Sequence, residues 1–149
     1  MLGLPKKTLL AIEAVLDIAY HSSGVPVQSS DITARQGIAR RSLEPLLQQL
    51  TRAGILAGVR GPRGGYRLGR ERRRITVGEI VRLVAGGHSD DIADACGSEL
   101  GLKVVRPLWM VLNDEVLLRL DGLTLEDLCR NARDAGIPSD AAKALDFTI

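Results

Sequence analysis

Residues 39–74 constrain the fold more than any other stretch of this chain. They read ARRSLEPLLQQLTRAG, then ILAGVRGPRGGYRLG, then RERRR. Leu43, Leu46, Leu47 and Leu50 fall at i, i+3, i+4 and i+7, one face of a helix. Two short strand-like runs follow, residues 55–60 and 66–69, joined by Gly61-Pro62-Arg63-Gly64-Gly65. Eleven arginines lie between Arg35 and Arg74, opposed only by Glu44 and Glu71. A helix feeding a Gly-tipped hairpin, with this much guanidinium, points to double-stranded DNA, because Arg forks match phosphate oxygens and guanine edges. A phosphate-loop reading of the glycines fails, since no Lys-Ser or Lys-Thr follows and no helix opens there.

The formal charge of +2 hides a division. Residues 1–75 carry thirteen Lys/Arg against five Asp/Glu (+8), and residues 76–149 carry seven against thirteen (−6). One half is suited to a polyanion and the other is not. At 149 residues, 45% hydrophobic and 26% charged, the chain fits one globular unit with an extension. Two cysteines suit a reducing compartment better than a disulfide framework. With no bilayer-length apolar run and no signal peptide, no membrane role and a cytoplasmic location are expected.

Around the central stretch the periodicity gives more helices. Residues 6 to about 22 predict a first helix, with Leu9, Ile12, Leu16, Ala19 and Tyr20 on one face. A second starts near Ser29, whose hydroxyl is placed to cap it, and stops at Gly37. Ile38 is a candidate core anchor. The third helix is expected to start close to Ser42, so that Pro45 falls in its first turn, where a missing N–H costs nothing. Arg40, Arg41, Ser42 and Glu44 then lie at the end that a recognition helix inserts into the major groove. The hairpin is the wing, with Arg60 or Arg63 along a minor groove and its glycines allowing positive φ and close backbone approach.

Thr76 and Glu79 predict a capping box opening a helix to about Ala85. Residues 88–98 are polar and acidic, a loop. A long apolar helix follows over about 99–120, carrying Val105, Leu108, Trp109, Leu112, Val116 and Leu120, with Pro107 kinking or delaying it. So long an apolar face is hard to bury in a small domain and is best explained by a second copy of the chain. Thr124 and Asp127 predict a last capped helix, in which Cys129 shares an apolar face with Leu125 and Leu128. The expected architecture is mainly α: a winged helix-turn-helix of three helices and a two-stranded wing over residues 1–87, a linker loop at 88–98 (the place of the sensor segment that the resemblance below implies), dimerisation helices at 99–137 and a flexible tail at 138–149.

The runs SLEPLLQQLTRAGIL, VRGPRGGYRL and RRRITVGEI resemble the Rrf-two family of bacterial winged-helix regulators, of the IscR and NsrR type, over residues 6 to about 128. The resemblance implies a homodimeric regulator, more often a repressor, on a pseudo-palindromic promoter site, with a long dimerisation helix preceded by a sensor segment. It sets Glu44 near the bases and Arg60 in the minor groove. The DNA-facing set expected is Ser29, Arg40, Arg41, Ser42, Glu44, Gln48, Arg60, Arg63, Gly64, Gly65 and Tyr66. Ser42 departs from the family pattern, which has Tyr before Leu-Glu.

A larger departure concerns iron. Cluster-binding members carry three closely spaced cysteines before the dimerisation helix, and here that region holds only Cys96. A cluster needs about four ligands, mostly thiolates. The expectation is therefore no cofactor, with Cys96 and His88 as the possible sensor residues and an unknown effector. The alternative is an iron–sulfur or redox sensor in which Cys96 is joined by His88, His21 and Glu13. An enzyme is not expected, since there is no nucleophile motif and no dinucleotide fingerprint. A protein-interaction module that has lost DNA is opposed by the arginines.

Overall fold

The computed structural model describes residues 4–85 and 95–140. Three helices come first: α1 (Lys6–His21), α2 (Ser29–Gln36) and α3 (Arg40–Arg52). The strands β1 (Leu56–Val59) and β2 (Gly65–Leu68) form an antiparallel hairpin, followed by a short 3-10 turn (Arg72–Arg74) and α4 (Val77–Ala85). A π-helical turn (Gly101–Val105) then leads into α5 (Arg106–Asp121), and α6 (Leu125–Asp134) closes the described chain.

The core is built on α1. Ala11, Ala14, Val15 and Ile18 are fully buried, whereas Leu9 is 51% exposed and Ile12 and Leu16 are only half-buried. Ala19 and Tyr20 of the expected face are buried, so the stripe departs from it only at Leu9, Ile12 and Leu16. α1 packs against α4, α6, the hairpin and the other two N-terminal helices. Leu43, Leu46, Leu47 and Leu50 are all buried from α3, as their spacing requires, and Ile38 packs at the core edge.

Two helix starts differ from expectation. Ser29 is the first residue of α2, not its cap; Gln28 holds the cap position and offers only its carbonyl, to the N–H groups of Asp31 and Ile32. α3 begins at Arg40, so Pro45 lies in its second turn and leaves the Arg41 carbonyl without an intrahelical donor. Arg41 and Pro45 are exposed, so water can supply that donor.

In the hairpin, Leu56 pairs with Leu68, Gly58 with Tyr66 and Val59 with Gly65. Val27, just before α2, adds one rung: its N–H and carbonyl exchange 2.8 Å bonds with those of Tyr66. The helix-turn-helix and the wing are therefore one hydrogen-bonded unit.

The last helix packs into the core of the first ones. Leu125 and Cys129 of α6 are fully buried in the same core as α1. The Leu125 N–H donates to Ile75 O at 3.0 Å and the Val77 N–H to Leu123 O at 2.8 Å, tying the starts of α4 and α6 together. Burial is better served by filling the open side of a three-helix core than by a second small one. The chain after α6 is also held: Ser139 Oγ donates to Tyr20 O at 2.7 Å and the Asp140 N–H to His21 Nδ1 at 3.2 Å. The rest of the expected tail, 141–149, lies outside the described residues, as does His88.

By contrast, α5 has no buried residue. Pro107, near its start, lacks the N–H of a regular turn, and the Arg106 N–H bonds instead five residues back to Gly101 O. The delay expected of Pro107 is thus a π turn.

Candidate nucleic-acid interface

A groove runs between the start of α2, the start of α3 and the wing. It is lined by Gln28, Ser29, Ser30 and Arg40 on the helical side and by Arg60, Pro62, Gly64, Gly65 and Tyr66 on the hairpin side. Six of the expected DNA-facing residues therefore meet on one surface: Ser29, Arg40, Arg60, Gly64, Gly65 and Tyr66. Arg41, Ser42 and Gln48 are exposed on α3, whose leucine face is turned to the core, and Arg63 is exposed at the wing tip. The first N–H groups of α2 have no intrahelical acceptor, which makes Ser29 and Ser30 suitable donors to a phosphate.

Charge within this region is unevenly committed. Arg35 is not available to DNA: its Nε and Nη2 each reach an Asp17 carboxylate oxygen at 2.8 Å, and Nη1 reaches Asp140 at 3.1 Å. The Asp17 bond raises its pKa further. Arg70 pairs with Glu79, Arg72 with Glu126 and Arg73 with Glu71. Among the described residues Arg41, Arg52, Arg60, Arg63, Arg67 and Arg74 have no ion pair. The eleven arginines from Arg35 to Arg74 thus divide into structural and unengaged groups, a division the charge count concealed. Arg40 is intermediate, exposed but bonded to Glu44.

The wing glycines divide between the two uses expected of them. Gly61 alone in the tip has positive φ, +111°. Gly64 and Gly65 do not; they are required because a Cβ would stand 2.2 Å from Val59 O at the first and 2.4 Å from Val27 O at the second. Their smallness serves the chain's own backbone approach.

The metal-ligand expectation can be tested on the donor set. Cys96 is half-buried ahead of the π turn, and Cys129 is enclosed in the core, where burial pushes its thiol pKa up against the opposing Arg72 guanidinium. His21 accepts the Asp140 N–H, and Glu13 is exposed on α1. Among the described residues no three His, Cys, Asp or Glu side chains stand together as metal donors. No described helix is long and apolar enough to cross a membrane.

A family model, Rrf2, described as "Iron-dependent Transcriptional regulator", matches residues 4–131. The HTH-type transcriptional regulator IscR of Xenorhabdus nematophila is 37% identical over 135 residues, covering 86% of this chain and 79% of that protein. IscR of Aliivibrio salmonicida is 38% identical over 132 residues, covering 84% and 76%. Among solved structures, T. potens IscR superposes with a TM-score of 0.75 at 31% identity, covering 93% of both chains. CymR, the global cysteine regulator of B. subtilis, gives a TM-score of 0.69 at 28% identity, covering 88% of this chain and 98% of that one.

Proposed function

Because the chain belongs to the Rrf2 family of transcriptional regulators, we propose that it acts as a homodimer on a pseudo-palindromic promoter site, as a repressor and without an iron–sulfur cluster. The observation that carries this reading is the groove itself. It unites the start of α2, the start of α3 and the wing, and is bordered by the unengaged Arg41, Arg60 and Arg63. Arg40, Arg41, Ser42, Glu44 and Gln48 face the major groove; Arg60 and Arg63 follow the backbone and minor groove. Dimerisation is supported by α5 and the turn before it, on which Val105, Leu108, Trp109, Leu112 and Val116 are between 37% and 59% exposed, while Leu120 is half-buried. An apolar face of this extent marks an interaction surface. A second copy seated there sets two recognition helices for two half-sites one DNA turn apart.

The test is fluorescence anisotropy with a promoter fragment at several salt concentrations. Two chains per site, with log affinity falling linearly in log salt, is the expected result. A salt-independent or monomeric complex refutes the reading. A second reading has a specific observation in its favour, the iron-dependent description of the family model. It makes Cys96 one ligand of a mixed set, and stoichiometric iron and sulfide after anaerobic purification would replace the first reading with it.

A further inference from the structure

A second cleft, of about 1030 Å³, opens where the base of the hairpin, the turn after it and the chain following α6 meet. It shares no lining residue with the groove described above. Arg67, Arg70, Arg72, Arg73 and Arg133 line it against Glu71 and Glu126, a formal excess of three positive charges. Arg72 and Arg133 are held by Glu126, at 2.8 and 3.6 Å, Arg73 by Glu71 and Arg70 by Glu79. Arg67 has no ion pair among the described residues.

We propose that this cleft binds a small organic anion, a carboxylate or phosphate ester carrying an apolar body, with Arg67 as its principal guanidinium partner. A concave surface with excess positive charge focuses potential toward an anion, and the guanidinium fork suits carboxylate and phosphate alike. Ion pairs to Glu126 and Glu71 hold three neighbouring guanidiniums ordered before a ligand arrives, which lowers the entropy cost of binding. Leu68, Ile137 and Pro138 supply an apolar wall. Such a wall suits a small molecule and has no counterpart in a DNA backbone.

The site also touches the wing. Arg67 follows Tyr66 directly, and Tyr66 is the residue whose backbone joins the hairpin to Val27. A ligand linking β2 to residues 137–139 acts on the wing's base, and any effect on DNA affinity requires unequal binding to the free and DNA-bound forms. This last step rests on the DNA-binding reading above.

The test is a series of amide correlation spectra of the full chain, titrated with phenyl phosphate and separately with phenylacetate. Saturable shifts at residues 67–73 and 136–139 are expected. Arg67→Gln, at an exposed strand position, should retain the melting temperature and weaken binding about tenfold, the loss of one charge-assisted hydrogen bond. The tighter probe identifies the head group. Shifts confined to Arg41, Arg60 and Arg63, or an Arg67→Gln variant that binds as before, overturn the proposal. So does displacement of phenyl phosphate by a random-sequence duplex, which assigns the cleft to DNA. DNA affinity without probe is measured in parallel, and its absence counts against the regulator reading rather than the cleft.

Discussion

The Nε of Arg40 donates to Glu44 Oε1 at 2.7 Å, one turn along the exposed start of α3. An exposed i,i+4 pair of this kind contributes a few tenths of a kcal/mol at most. Glu44→Ala should therefore leave the melting temperature within about a degree or two. Its effect falls on selectivity: losing an acceptor for a cytosine amino group costs about 1–3 kcal/mol of discrimination at one base pair. Binding to a set of singly substituted operator duplexes checks this; equal losses on all of them would assign Glu44 to orientation of Arg40 alone.

Arg60 and Arg63 are exposed and have no ion pair among the described residues. Replacing either with Ala should weaken DNA binding nearly uniformly across sequences and reduce the salt slope by about 1. Arg35→Ala should behave in the opposite way. It leaves the salt slope unchanged and lowers stability, because Asp17 loses a bidentate partner. Salt titrations and urea melts on the three variants separate the two classes.

The two kinds of wing glycine predict different failures. Gly61→Ala has open space but keeps φ at +111°, a strain of about 1–3 kcal/mol confined to the tip. Gly65→Ala forces a methyl to within 2.4 Å of the Val27 carbonyl and must separate the hairpin from the segment leading into α2. Hydrogen exchange at the Val27 and Tyr66 amides should stay slow in the first variant and become fast in the second.

Thr124 and Asp127 form a complete capping box at α6. The bonds from the Thr124 backbone N–H and hydroxyl lower the Asp127 pKa from its ordinary carboxylate value. The unfolded carboxyl therefore protonates first on acidification. The box's contribution is full above that ordinary value and is lost as pH falls through the lower folded one. Thr124→Ala should cost about 1 kcal/mol at neutral pH and flatten this part of the acid unfolding profile. Urea melts from pH 6 to pH 2 provide the check.

Leu112→Glu or Val116→Glu, on the exposed face of α5, should give a folded monomer with greatly weakened operator affinity. Sedimentation velocity distinguishes this from a variant that merely unfolds. An unchanged dimer would place the interface elsewhere.

Local patterns carried much of this fold. The spacing of Leu43, Leu46, Leu47 and Leu50, the Thr124 box and the Gly-rich hairpin were legible because each depends on residues within one or two turns. Half of the Thr76 box was legible as well: the Glu79 N–H donates to Thr76 Oγ1 at 3.1 Å, but the Glu79 carboxylate goes to Arg70 instead. What escaped the sequence were choices set by distant partners. Which stripe of α1 is buried depends on all the elements packed around it, and which arginines are engaged depends on Asp17, Glu79 and Glu126. Gly64 and Gly65 carried a signal for close approach, yet only the folded chain identifies Val59 and Val27 as the backbones approached.

The return of α6 to α1 also governs how this protein can be made. Tyr20 Oη donates to Ile137 O, a contact spanning 117 residues, and Leu125 and Cys129 complete the core that α1 begins. A nascent chain emerging from the ribosome can form its local helices and hairpin early, but its central packing waits on residues translated more than a hundred positions after α1. Until then the apolar side of α1 is exposed to whatever surrounds it. Truncation near residue 87 should likewise yield, not an independent DNA-binding domain, but a core with one wall missing.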